Sequence, residues 1–119
     1  MSVVEQYARA HIVTDMDAGA SEEHGAVPVV LRYDPDSDPR TVRIALPGAQ
    51  EWACSREVLE QGLRAPAGSG DVRVWPCGRV QAVVEFHTAH GVSVVEFESK
   101  TLVRFLRRTH AEATTPVHH

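Results

Sequence analysis

The sequence predicts an α+β fold built from two antiparallel β-meander-plus-helix units, about β4α and then β3α. Three observations predict it. Apolar residues alternate with polar ones over 27–33, 41–46 and 80–87, the period of half-buried strands. Polar turns rich in Pro, Asp and Gly separate these runs. Twice, after Ser55 and after Ser99, the period changes to that of a helix.

The bulk properties suit one domain, residues 1–112, followed by a disordered tail over 113–119. A chain of 119 residues with 43% hydrophobic and 24% charged residues is long and apolar enough for one core. Its formal net charge of -4 argues against a protein whose main task is gripping nucleic acid, since phosphate binding needs a basic surface. No apolar run approaches the roughly 20 residues of a membrane helix, so no membrane insertion is expected. MSVVEQYARA lacks a basic start followed by an apolar block, so no secretory signal is expected and a cytoplasmic location is. Cys54 and Cys77 fit no metal or redox spacing and read as free thiols, with a disulfide as the lesser alternative.

In chain order, residues 3–13 read as a strand with Val4, Ala8, Ala10 and Ile12 on one face and Tyr7, Arg9 and His11 on the other. Residues 14–26 are acidic, small and glycine-containing, and read as a flexible loop. The strand 27–33 places Val27, Val29, Leu31 and Tyr33 together. DPDSDP (34–39) is a turn whose aspartates can bond their own backbone. The strand 41–46 turns Val42, Ile44 and Leu46 inward, Pro47-Gly48 reverses the chain, and 50–54 starts back. Ser55 then caps a helix barely two turns long, with Val58, Leu59 and Leu63 as its buried stripe and Gly62 as its left-handed C-cap. APAGSGD (65–71) is a loop, and the strand 72–78 stops at Pro76. Val80, Ala82, Val84 and Phe86 share a face of the next strand. HTAHG turns, and VSVVEFE returns. Ser99 caps a final helix over 99–112. Leu102, Phe105, Leu106 and Thr109 point inward, and Lys100, Arg104, Arg107, Arg108 and Ala111 lie on the other side.

Several sites are weighed against plainer readings. PAGSGD lacks a P-loop lysine and leads into a strand, so it reads as a turn and not a phosphate loop. Glu85, His87 and His90 sit on a strand end and turn, a spacing that does not gather zinc ligands on one face. There is no G-x-S-x-G and no clustered acid–base set, so neither catalytic residues nor a cofactor are assigned. Trp52 and Trp75 read as packing residues before base-stacking ones. The stripe Lys100, Arg104, Arg107 and Arg108 is a candidate docking surface for an acidic partner. Its plainer reading is a solvated face that balances the helix C-terminus. The acidic residues Asp15, Asp17, Glu22 and Glu23 form a second candidate surface.

Spaced blocks over residues 27–111 resemble the SsgA-like sporulation and cell-division proteins of streptomycetes and related actinobacteria. They are Leu31-Arg32-Tyr33 with its Asp-Pro, then Trp52, Arg56, Leu59, Gly62 and Leu63. Pro66, Gly68, Gly70, Asp71, Val72, Arg73, Val74, Trp75 and Pro76 follow, and Phe105-Leu106 with Arg108-Thr109 close the pattern. The resemblance implies a whirly-like fold and a bell-shaped homotrimer. It also implies a non-enzymatic adaptor acting at the division septum, on FtsZ, on another SsgA-like protein or on septal wall synthesis. The alternative that the same resemblance suggests is single-stranded nucleic-acid binding.

Overall fold

The computed structural model describes residues 3–15, 26–46, 50–89 and 91–113. Among these residues eight strands and two helices follow one another as β1 (Val4–Asp15), β2 (Ala26–Tyr33), β3 (Thr41–Leu46), β4 (Gln50–Ser55), α1 (Arg56–Gly62), β5 (Ala67–Ser69), β6 (Val72–Cys77), β7 (Gln81–Thr88), β8 (Gly91–Glu98) and α2 (Ser99–Ala113). The two expected sheets are one. Its strand order is β4-β3-β2-β1-β8-β7-β6-β5, and every pairing is antiparallel.

The long strand β1 makes that joint. It pairs with β2 along Val4–His11 and with β8 along Ala10–Asp15, and the register shifts between Ile12 and Thr14. The second unit also gains a strand. Part of the loop expected at 65–71 is β5, which folds back on Val72–Val74. Gly70, with φ of 60°, supplies the left-handed residue of that turn. The units are therefore β4α and β4α.

Alternation decides what is buried. Val29, Leu31 and Tyr33, then Val42, Ile44 and Leu46, then Ala82, Val84 and Phe86 line the inner face, joined by Val95 and Phe97. Trp52 of β4 stacks on Phe86 of β7 with ring centroids 4.6 Å apart, although four strands, β3, β2, β1 and β8, separate them in the sheet. The sheet must curl for those rings to meet, as strand twist allows. Helix α1 touches β4, β5 and β6, so it bridges the two edges of the curled sheet. Helix α2 lies against β1, β7 and β8.

Four local expectations change. Gly62 is not a left-handed cap. It is the last helical residue, and Leu63, right-handed at φ −75°, follows it. A Cβ at 62 would meet Val74 Cγ1 at 2.2 Å, so glycine is there to let α1 approach β6. Val80 is not inward. Strand β7 begins at Gln81, and Val80 stands in the preceding turn, 69% exposed. Pro76 does not stop β6, which runs to Cys77. Because β5 covers only Val72–Val74, β6 is an edge strand at Pro76, where a missing N–H is tolerated. Finally, α2 already includes Ser99, whose N–H donates to Val80 O at 2.8 Å.

Other details match. Ser55 caps α1, its hydroxyl accepting the Val58 N–H at 3.2 Å. Asp34 Oδ1 accepts from the Asp36 and Ser37 amides, and Asp38 Oδ1 from that of Arg40. Cys54 is buried on β4 and Cys77 is exposed on β6, both as free thiols. The Pro47-Gly48 turn, residues 114–119 of the tail expected at 113–119 and residues 16–25 of the loop expected at 14–26 lie outside the described residues, whereas Thr14 and Asp15 belong to β1, Ala26 to β2 and Ala113 to α2.

Candidate partner-binding surface

Helix α2 forms because its apolar residues fall at helical spacing on one side. Leu102 and Phe105 have no exposed area, and Leu106 has 4%. Thr109, also fully buried, donates its hydroxyl proton to Leu106 O at 2.7 Å, so its polar group is satisfied. Two bonds fix the helix on β1. Gln6 Nε2 donates to Thr101 O at 3.0 Å, and Arg108 Nη1 donates to Glu5 O at 3.0 Å.

Lys100, Arg104, Arg107 and Arg108 are all exposed, but their roles differ. Arg108 is a strap to β1, with Gln6 Oε1 a further acceptor at 3.4 Å. Lys100, Arg104 and Arg107 have no ion-pair partner among the described residues. The plainer dipole reading fails for them. His110 is the basic residue of the last turn, whereas Lys100 sits in the first turn, where a cation is unfavourable. Like charges four apart, as at 100 and 104, also cost a helix a few tenths of a kcal/mol. The dipole therefore does not account for the stripe, which stands as an exposed, solvated basic face. Of the acidic candidates, Asp15 is the last residue of β1, and Asp17, Glu22 and Glu23 lie outside the described residues.

The tryptophans and the glycine block are architectural. Trp52 is packed on Phe86 with its Nε1 buried, so its face is not open to a base. Trp75 is half-buried on the outer face, opposite Val83 of β7. Gly68, Gly70 and Asp71 shape the β5–β6 hairpin, and Asp71 O accepts the His87 amide at 2.7 Å. On the outer face Arg32 pairs with Glu5 at 2.8 Å and approaches Glu51 at 3.6 Å, while Arg43 lies 3.9 Å from Glu51. Those pairings neutralise Arg32 and Arg43, two of the cations a nucleic-acid track on this face would use, which counts against that alternative.

Chemistry elsewhere is sparse among the described residues. Burial pushes the Cys54 thiol up to about 12, so it is not an available nucleophile. His87 Nε2 and Glu85 Oε1 form a pair at 2.8 Å, and no group of three metal-ligating side chains gathers. No described helix is long and apolar enough to cross a membrane.

A cleft of about 540 Å³ went unread in the sequence. Arg40, Ser55, Arg56, Glu57 and Glu60 line it. Strand register brings its two arginines together. Thr41 pairs with Ser55, and one step further the Arg56 N–H donates to Arg40 O at 2.8 Å. The Arg56 guanidinium lies over the Tyr33 ring, 5.4 Å from its centroid, and donates to Tyr33 Oη at 3.2 Å. Tyr33 in turn donates to Pro39 O at 3.0 Å. Residue pairing across β3 and β4 was the signal available for this cleft.

Fold and surface together define a small α+β domain, one curled antiparallel sheet with a helix for each half and charged surfaces outside. The chain belongs to the SsgA family: the family model for the Streptomyces sporulation and cell division protein SsgA matches residues 27–116. Sporulation-specific cell division protein SsgB of Streptomyces coelicolor is 36% identical over 84% of this chain and 77% of its own length. SsgB of Kineococcus radiotolerans is 37% identical over 76% of this chain, which spans only 58% of that relative. A solved structure, described by the finding that mutations in SsgB correlate to longitudinal cell division during sporulation of Streptomyces coelicolor, superposes with a TM-score of 0.79. It is 33% identical and covers 93% of this chain and 86% of its own. The SsgA-like sporulation-specific cell division protein of Thermobifida fusca shares the fold, with a TM-score of 0.76, 24% identity and coverage of 96% of this chain and 84% of its own. These relatives support a role in sporulation cell division.

Proposed function

We propose that this protein is a non-enzymatic adaptor in sporulation-specific cell division. It acts at the septum by presenting surfaces to division proteins such as FtsZ or to another SsgA-like protein, or by directing septal wall synthesis. The observation that carries the adaptor reading is the α2 stripe: Lys100, Arg104 and Arg107 are exposed, lack ion-pair partners among the described residues and do not serve the helix dipole. A homotrimer of whirly-like subunits is part of the proposal. Tyr7, 77% exposed beside Val30 on the central strand, gives the outer sheet face an apolar feature of the kind that subunit contacts cover.

The test is charge reversal of Lys100, Arg104 and Arg107 to Glu in a sporulating host. Irregular septa, with the protein still folded, are expected; regular septa would remove the stripe from the mechanism. A pull-down from sporulating cells with the unaltered chain as bait should recover FtsZ or another septal protein.

A further inference from the structure

We propose that the cleft between the loop before β3, the end of β4 and α1 is a second docking site, one that takes a partner's peptide segment carrying a carboxylate beside a basic residue. It goes beyond the α2 stripe and uses different residues.

The inference starts from the two arginines. Neither Arg40 nor Arg56 has a carboxylate within ion-pair distance among the described residues. Arg56 is nevertheless held in place: its guanidinium lies over the Tyr33 ring and spends one N–H on Tyr33 Oη. Tyr33 is itself fixed, 1% exposed and bonded to Pro39 O. A guanidinium has five N–H donors, so most of its fork remains for a ligand. Such a half-buried and pre-oriented fork suits a planar carboxylate, which it can grip through two parallel bonds. Arg40, exposed at the cleft mouth, adds a second positive charge.

The acidic residues of the cleft decide the kind of anion. Glu60 Oε2 is engaged by His110 Nε2 of α2, and Glu57 Oε2 accepts from Gln61 Nε2 at 3.5 Å. Both carboxylates still face the cleft. A continuous polyphosphate backbone would be repelled there, and the chain's net charge of -4 adds to that repulsion. A single carboxylate on Arg56, with a neighbouring Lys or Arg toward Glu57, satisfies both signs. The start of α1 contributes side chains to this site, while two of its first amides are already engaged. Its Arg56 amide is spent on Arg40 O and its Val58 amide on Ser55 Oγ.

The test is selection of a random-peptide display library on the full chain, followed by affinity measurement of the enriched peptides. Enriched peptides should carry Asp or Glu next to Lys or Arg. They should bind Arg56→Lys about tenfold more weakly, because lysine keeps the charge and loses the fork. Arg40→Gln, at an exposed position, should weaken them about threefold and guards against a folding defect at Arg56. Four outcomes would each overturn the proposal. These are no enrichment, enriched peptides without a carboxylate, peptides that bind both variants as tightly as the unaltered chain, and displacement by oligothymidylate, which would mark a phosphate site. A change of oligomeric state in both variants would also overturn it, by making the cleft a contact between copies. The readout is binding in vitro, so its failure is distinct from failure of the septation reading.

Discussion

The two helices rest on one sheet and do opposite kinds of work. Helix α1 has seven residues and is too short to be stable alone, yet it spans both edges of the curled sheet and sits against β6 with no room for a Cβ at Gly62. Helix α2 has fifteen residues, a fully buried apolar side and an exposed basic side. The buried residues of the short helix serve closure. The long one has area to spare: one face holds the fold, and the exposed basic face is the one proposed for recognition.

That contrast can be broken by mutation. The largest effect is expected at Phe105→Ala, which removes a fully buried ring from the inner side of α2. It should cost about 3–5 kcal/mol in urea unfolding, and a loss below about 1 kcal/mol would show that α2 is not a core helix. Gly62→Ala comes next, at about 1–3 kcal/mol, because Val74 must move to admit the methyl group. An unchanged or higher unfolding midpoint would mean that glycine is not required for closure. Ser55→Ala should cost about 1 kcal/mol through the lost cap on Val58 N. The smallest effect belongs to the triple reversal of Lys100, Arg104 and Arg107 to Glu, within about 0.5 kcal/mol per site. A large loss there would make the outer face of α2 structural and erase the difference between the helices.

Local patterns carried much of the fold. The inward rows of β2 and β3 and the buried side of α2 were legible, since a side chain's face follows directly from strand or helix period. Elsewhere the reading needed a partner. Val80 keeps strand alternation with Ala82, yet the turn through Gly78, at φ 69°, consumes residues up to 80 before β7 starts. Strand β5 is three residues of Ala, Gly and Ser, with no apolar row to announce it. Of the candidate surface, Lys100, Arg104 and Arg107 were found by helical spacing alone. Arg108 has the same spacing but is tied to Glu5 O, 103 residues away in the chain.

By itself the sequence determined the kind and order of nearly every element, the inner faces of the clear strands, and the family to which the chain belongs. Only tertiary structure decided that β1 and β8 weld two meanders into one sheet, that Gly62 yields space to Val74, and that Arg40 and Arg56 share a cleft under the hand of Tyr33. The reason is physical. Periodicity is a property of the local backbone, whereas these contacts depend on strand register and on the curl of the whole sheet, neither of which any short stretch of chain specifies.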